Sequence, residues 1–345
     1  MIVLGIETSC DDTSIAILKK DENKSELLSH FSFSQEEILK KWGGVVPEIA
    51  ARHHLSKLKP LLVEALDQAK LSMHDIDYIG VTTNPGLLGP LLTGLNTAKS
   101  LALLCEKPII AVNHLFAHLE AIHLTEKIQY PYLGLLISGG HSLYLLVESS
   151  TSFKVLGSTI DDAAGEAFDK GGKLMGLGYP AGKIIDERAK LGDPLKYPFP
   201  IGLKASADAR LSFSGLKTSL RVFLEDRPEL IKDEAEINHI CAGYQKAIVD
   251  ALSLKLKYAY KIANEKFGHK HLPLVVGGGV ACNSAIRESL QKKYRDTHFV
   301  APKFCTDNGA MIAHYASLIT DDAVNFPDCL MTDARGRFID KKDFQ

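Results

Sequence analysis

The chain opens with short apolar blocks separated by polar turns, a pattern that predicts strands. Ile2–Ile6, Thr13–Leu18 and Leu28–Ser32 are β-rich segments. A polar turn (Glu7–Asp12) and a charged one (Lys19–Lys24) separate them. The same arrangement returns at Tyr132–Ile137, Leu143–Val147 and Phe153–Ser158, with SGGHS as the first turn. Two copies of strand, small polar turn, strand, strand predict two related domains. Between the copies, VVPEIAARHHLSKLKPLLVEALDQA has helical spacing, with Pro47 suited to a first turn and Pro60 expected to start a new turn or a kink. Ile76–Thr82 and Pro108–Val112 read as strands, each feeding a helix. Residues 161–260 read as mostly helical around a loop-rich stretch, Leu191–Ala209. Leu272–Val276 is a buried-type strand ending in three glycines. A strand near Phe299–Ala301 runs into the loop KFCTDNG and a last helix, AMIAHYASLI.

Composition narrows the class. With 345 residues, 46% hydrophobic and 24% charged, the chain is of ordinary globular type, and its net charge of -2 carries no global nucleic-acid signature. No apolar run approaches the roughly 20 residues that span a bilayer, so no membrane role is expected. MIVLGIETS lacks a signal-peptide pattern, which points to a cytoplasmic location. Six scattered cysteines without a CxxC pair speak against a zinc ribbon or a secreted disulfide framework.

The candidate chemistry is concentrated in a few turns. In VNHLFAHLEAIHL, His114 and His118 sit one helical turn apart on one face and can aim at one point. Asn113 is placed to cap that helix, and the helix's positive end disfavours imidazolium, keeping the rings neutral for a metal. A metallopeptidase HExxH would need Glu where Leu115 stands. A third ligand must come from elsewhere. Asp307 in CTDNGAM is the candidate, giving two histidines and one carboxylate, a set suited to Zn or Fe(II); His141 is a further side chain expected near that place.

The turn ETSCDDTS offers hydroxyls (Thr8, Ser9, Thr13, Ser14), backbone N–H groups for an anion, and the carboxylates Asp11 and Asp12. The plainer alternative is a polar hairpin stabilised by Asx turns. ISGGHSLY offers Gly139 and Gly140 for close approach of a phosphate or carbonyl. VVGGGVACN ends a strand in glycines, Gly278 and Gly279 among them, before a helix start that favours anions. It is neither GxGxxG nor a P-loop. DDAAGEAFDKGG is either an amphipathic helix with a solvated acidic face or a helix whose glycines serve a close approach.

Together, GIETSCDDTS, GGVVPEIAARHH, NHLFAH, LLISGGHS, DDAAGEAFDK, FSFSGLKT, GGGVACN and TDNGAMIA resemble the bacterial tRNA threonylcarbamoyladenosine transferase family (TsaD), in order from about residue 2 to residue 317. The resemblance implies an α/β fold of the actin/sugar-kinase/Hsp70-like superfamily, two ribonuclease-H-like domains around a nucleotide cleft. The expected domains are 1–112 with 308–330, then 113–307, then a tail at 331–345. It implies an acyltransferase that moves threonylcarbamoyl from L-threonylcarbamoyl adenylate to N6 of the adenosine 3′ of the anticodon in tRNAs reading ANN codons, releasing AMP. By motif, His114, His118 and Asp307 match ligands of one divalent metal, Fe2+ or Zn2+. Leu136, Ile137, Ser138, Gly139, Gly140, Asp169, Gly182, Asp186 and Asn283 match positions that hold the adenylate. Asp11 is the expected proton acceptor, with Thr8, Ser9, His141, Gly278 and Gly279 as further phosphate or cleft positions. The implied partners are tRNA, an actin-like paralogue (TsaB) and an ATPase (TsaE); Arg335 and Arg337 are candidate RNA contacts. Departures from the family pattern are small: Ser in SGGHS where Thr is usual, Ala181 and Lys183 around Gly182, and Asn84 in TTNPGLLG. A sugar kinase of the same fold would not need the metal set, and a non-catalytic scaffold paralogue lacks the paired histidines.

Overall fold

A computed structural model describes residues 1–22, 24–269 and 271–337. The chain divides into two compact units. The first comprises Met1–Lys127, Ser150–Ser152 and the stretch from Thr306; the second comprises Ile128–Ser149 and Phe153–Cys305.

The first unit is built on a five-stranded sheet of order β3-β2-β1-β4-β5: β1 (Ile2–Glu7), β2 (Asp12–Lys20), β3 (Ser25–Ser34), β4 (Tyr78–Asn84) and β5 (Ile109–Asn113). β1, β2 and β3 form an antiparallel meander, with Ile6 opposite Ile15 and Glu7 opposite Ser14; β4 and β5 add in parallel. Side chains of a strand alternate between faces. Leu4 and Ile6 therefore join Ile15 and Ile17 in a core with Leu58, Leu62, Leu91 and Leu95 of the long helices. These helices are α2 (Pro47–Ala69) and α3 (Leu88–Cys105), which follow a one-turn α1 (Glu36–Leu39). Val3, Gly5 and Glu7 face the other way.

That second face is covered by α4 (His114–Glu120) and by α11 (Gly309–Ala316), the last α-helix among the described residues. The approach is close because Gly5 has no side chain: a Cβ there would lie 2.3 Å from the Gly309 carbonyl oxygen. α2 continues through Pro60 as one helix, with no new element beginning there. The carbonyl that loses its partner belongs to Ser56, which is exposed, so solvent satisfies it.

The second unit repeats the strand order as β10-β9-β6-β7-β8: β6 (Tyr132–Ile137), β7 (Ser142–Ser149), β8 (Ser152–Ser158), β9 (Leu274–Gly277) and β10 (Thr297–Phe299). β6 pairs antiparallel with β7 and parallel with β9. All six residues of β6 are buried, as expected of a central strand covered on both sides. Its helices are α5 (Ala164–Leu174), α6 (Gly182–Ala189), α7 (Ser214–Glu225), α8 (Glu234–Phe267), α9 (Ser284–Lys293) and the short α10 (Pro302–Cys305), which replaces part of the expected loop KFCTDNG.

The strand duplication thus corresponds to two sheets of equivalent order. The division of the chain falls elsewhere than expected. It comes after Lys127, not after Val112, and before Thr306, so α4 and Asp307 both lie in the first unit. The stretch expected as a tail is docked on that unit as far as it is described. Ala334 is buried, and the Arg335 N–H donates to the Thr83 carbonyl over 2.8 Å; upstream of this stretch, Val324 pairs with Ile109. Positions 338–345 of the expected tail lie outside the described residues.

Candidate metal centre

β5 ends at Asn113, whose side-chain oxygen accepts hydrogen bonds from the N–H groups of Leu115 and Phe116. This cap starts α4 abruptly, so His114 is held at the strand end and His118 follows one turn later. Asp307 arrives on the loop before α11, whose own cap is Asn308, accepting from the Met311 N–H. Close packing of α11 on β1 and α4 brings the loop to the histidines.

The three donor atoms converge. His118 Nε2 lies 3.0 Å from Asp307 Oδ1 and 3.1 Å from His114 Nε2, and His114 Nε2 is 3.4 Å from the same Asp307 oxygen. Among the described residues this is the one group of three or more potential ligands drawn so closely together. The spacing suits a small divalent ion, because bonds of about 2.0–2.1 Å at tetrahedral angles set donors roughly 3.3 Å apart. Both imidazoles are buried, and their rings meet edge to face with centroids 4.5 Å apart. Nδ1 of His118 is buried without a partner among the described residues. His118 Nε2 faces both His114 Nε2 and Asp307 Oδ1, so the three donors point at one shared position.

Behind His114 stands Glu7, a residue the sequence reading left in the polar turn. It is fully buried, and its Oε2 lies 3.1 Å from His114 Nδ1. Its remaining capacity is filled by the Ser9 N–H and the Thr82 hydroxyl. A carboxylate at Nδ1 fixes the proton there and turns the Nε2 lone pair toward the metal position. The signal was available in the strand period: Glu7 shares a face with Val3 and Gly5, and that face receives α4 and α11.

The electrostatics follow from burial of opposite charges. Burial opposes charge on His114, yet Asp307 and Glu7 outweigh it and raise the ring to about 10. Burial likewise favours neutral carboxyls, but His114 holds both Glu7 and Asp307 below the usual carboxylate range. His118, desolvated and beside His114, is lowered. The metal-free triad therefore favours a proton on His114, where a divalent cation would otherwise offset the two carboxylates.

The other residues of the first turn divide. Asp11 is only partly exposed; burial raises it, and the charge of Asp307 adds to the shift. Asp12 is raised to about 8 by burial and then by Asp307 and Asp11. Thr8 and Ser9, expected as cleft hydroxyls, face inward. Thr8 Oγ1 donates to the Pro90 carbonyl over 2.9 Å, and Ser9 Oγ lies 3.2 Å from His114 Nδ1. Ser9 thus buttresses a candidate ligand. Arg335 and Arg337 are exposed.

In the second unit, the two glycine turns lie at the C-terminal ends of neighbouring parallel strands, β6 and β9. Leu136 pairs with Gly277, and a Cβ on Gly278 would lie 2.4 Å from the Ile137 carbonyl oxygen. Ser138 and His141 close the SGGHS turn through Ser138 N–H to His141 O (2.8 Å) and His141 N–H to Ser138 Oγ (3.2 Å). Gly139 and Gly140 are exposed, with open space where a side chain would stand. Gly279 begins the single 3-10 turn Gly279–Cys282.

The start of α5 presses on the SGGHS turn: a Cβ on Gly165 would meet the Ser138 carbonyl oxygen at 2.6 Å. The glycines of DDAAGEAFDKGG therefore serve close approach. Asp161 and Asp162 are occupied by Ser212 and by Lys170 and Lys217. Further along α5, Asp169 accepts from the Ala181 N–H (2.8 Å), just before Gly182 opens α6. On α6, Asp186 accepts from the N–H and hydroxyl of Ser284, and the neighbouring Asn283 donates to Gln245 while capping α9. The end of β6 with its glycine turn, Asp169 within α5, Gly182 and Asp186 of α6 and the α9 cap Asn283 are thus linked through neighbouring contacts in the second unit.

No helix among the described residues is long and apolar enough to cross a membrane. In fold, the chain is similar to component A of the (R)-2-hydroxyglutaryl-CoA dehydratase of Acidaminococcus fermentans. The TM-score is 0.51 at 16% identity, over 91% of this chain and 97% of that one. It is also similar to full-length HypF, with TM-score 0.56 at 15% identity, over 93% of this chain and 46% of that one. These likenesses show the fold alone. Sequence relatives are nearer. The tRNA N6-adenosine threonylcarbamoyltransferase of Rhodospirillum rubrum is 45% identical over 90% of this chain and 87% of its own length. That of Thermosipho africanus is 46% identical over 91% and 92%. The family described as TsaD, tRNA N6-adenosine threonylcarbamoyltransferase, matches residues 26–314. The chain belongs to this family, a transferase that places threonylcarbamoyl on N6 of adenosine in tRNA.

Proposed function

We propose that the donor is L-threonylcarbamoyl adenylate, that the acceptor is the adenosine 3′ of the anticodon in tRNAs reading ANN codons, and that AMP leaves. The observation that carries this reading is the convergence of His114, His118 and Asp307 with Glu7 fixing the tautomer behind them. A site of this kind has no part in phosphoryl transfer to a sugar, and it suits activation of a mixed carbamic–phosphoric anhydride. His114, His118 and Asp307 hold one divalent cation, Fe2+ or Zn2+. When bound, such a cation polarises a donor oxygen and offsets charge on the departing phosphate.

The protein's own groups do the remaining work. The open backbone at Gly139 and Gly140, with Gly278 and Gly279, offers N–H groups to phosphate oxygens. Leu136, Ile137 and Ser138 form the strand end beneath them, and Asp169, Gly182, Asp186 and Asn283 hold the nucleoside side of the adenylate. The exocyclic amine attacks the carbamoyl carbon, the carbon–oxygen bond to phosphate breaks, and the N6 proton passes to Asp11. Burial favours that acceptor, because it raises the affinity of Asp11 for a proton. The target base must first leave the anticodon-loop stack.

Efficient turnover uses an actin-like paralogue (TsaB) and an ATPase (TsaE), since a net charge of -2 gives little long-range attraction for a polyanion. The site of action is the cytoplasm. The test is incubation of the purified chain with synthetic adenylate and unmodified tRNA, with and without those partners, and nucleoside analysis by mass spectrometry. Threonylcarbamoyladenosine formed at the anticodon-adjacent position, with AMP in equal amount, is the expected result. Absence of product in the full mixture overturns the reading.

A further inference from the structure

Away from the metal centre, the second unit contains two cysteines that the transfer chemistry does not use. Cys282 ends the 3-10 turn after β9 and is exposed; Cys305 ends α10 and is buried. The two elements pack on each other. Arg287, one turn into α9, links them. Its Nε donates to the carbonyl of Ala281, immediately before Cys282, over 2.7 Å, and its Nη2 reaches the Val300 carbonyl at 3.4 Å. The sulfur of Cys305 lies 3.1 Å from that same carbonyl oxygen. One guanidinium therefore stands beside both sulfurs, one open to solvent and the other shielded.

This is the arrangement that makes a thiol responsive to peroxide: an accessible sulfur near a cation, with a second sulfur in reserve behind it. Cys305 and Arg287 together outweigh burial and bring the Cys282 thiol down to about 6. Among the other cysteines, burial raises Cys10, Cys241 and Cys329. We propose that Cys282 and Cys305 are a peroxide-responsive thiol pair that closes reversibly to a disulfide.

The steps balance. The Cys282 thiolate attacks one oxygen of hydrogen peroxide, the O–O bond breaks, and with one proton the products are a Cys282 sulfenic acid and water. The Cys305 thiol then attacks that sulfur, the S–O bond breaks, and a disulfide and a second water form. Peroxide takes two electrons, and a small thiol reductant returns them. The position has a consequence for the transferase, because Cys282 precedes the α9 cap Asn283 and Cys305 lies two residues before Asp307. Closure would fix the turn that leads into the α9 cap to the segment that leads to Asp307.

The test uses the reduced, metal-loaded full chain. At pH 6, alkylation of Cys282 should run about tenfold faster than that of free cysteine, after the gain in thiolate is discounted for its lower nucleophilicity. Stoichiometric peroxide should yield a Cys282–Cys305 peptide in non-reducing maps, and thiol reductant should remove it. In Cys305→Ser, the reaction should stop at a sulfenic acid that dimedone traps on Cys282. In Cys282→Ser, Cys305 should stay reduced. Alkylation of Cys282 no faster than free cysteine overturns the proposal, as does peroxide carrying wild-type Cys282 to sulfinic acid with no cross-linked peptide.

Discussion

Substituting Glu7 by Gln keeps the volume of a fully buried side chain and removes its charge. The carboxylate now accepts from three donors: the Ser9 N–H, the Thr82 hydroxyl and His114 Nδ1. An amide has one oxygen to offer in their place. If that oxygen stays with Ser9, the amide N–H faces His114 Nδ1 and forces the imidazole proton onto Nε2, where it blocks the metal position. If the oxygen turns to His114, two N–H donors face each other at Ser9, at a cost of about 1–3 kcal/mol for a buried unsatisfied group. Either way the ligand is impaired, and loss of such an outer partner weakens metal binding about 10–100-fold, or roughly 1.4–2.7 kcal/mol. Competition with a chromophoric chelator measures this directly, with thermal melting to show that the fold persists. The exposed Glu187 substituted by Gln serves as the control. Wild-type metal affinity in Glu7→Gln would refute the role given to this carboxylate.

Asp307→Ala and His114→Ala should each lose most bound metal and most transferase activity while melting cooperatively; elemental analysis showing full metal content would remove the residue from the site. Asp11→Asn should keep metal and fold but lower transfer by about 10²–10⁴-fold, the usual worth of a positioned base, and near-wild-type turnover in single-turnover assays would exclude it as proton acceptor. Because His114 in the metal-free chain is raised to about 10, metal binding at neutral pH must displace a proton. Apparent affinity should therefore rise up to about tenfold per pH unit between neutrality and that value, then level off; calorimetry in buffers of different ionisation enthalpy checks the release, and a pH-independent affinity contradicts it. Gly165→Ala places a Cβ 2.6 Å from the Ser138 carbonyl oxygen, so it should lower stability by about 1–3 kcal/mol through overpacking, read as a lower denaturant midpoint.

Much of the fold was legible because strands and turns leave local marks. The repeated strand pattern corresponds to two sheets of equivalent order, and Asn113 caps α4 as its position before the histidines implied. What remained hidden depends on contacts distant in sequence. The placement of α4 in the first unit follows from its packing against α11, which no local pattern announces. Pro60 reads as a helix breaker from its own chemistry, and only the exposure of Ser56 shows why it is tolerated. The paired histidines were visible as a motif, whereas Glu7 looked like one more polar turn residue. Its role emerges only when the alternation of β1 is combined with the identity of what covers that face.

The docking of the stretch from Thr306 onto the first sheet also orders events in time. During synthesis the whole second unit emerges before the segment that completes the first. His118 and Asp307 are separated by 189 residues, so at about 5–20 residues per second the histidines wait roughly ten to forty seconds for their third ligand. The His114–His118–Asp307 triad is thus among the last features the ribosome delivers. A nascent chain released early presents two imidazoles and an uncovered sheet face, the form of the protein most exposed to wrong ions and to aggregation.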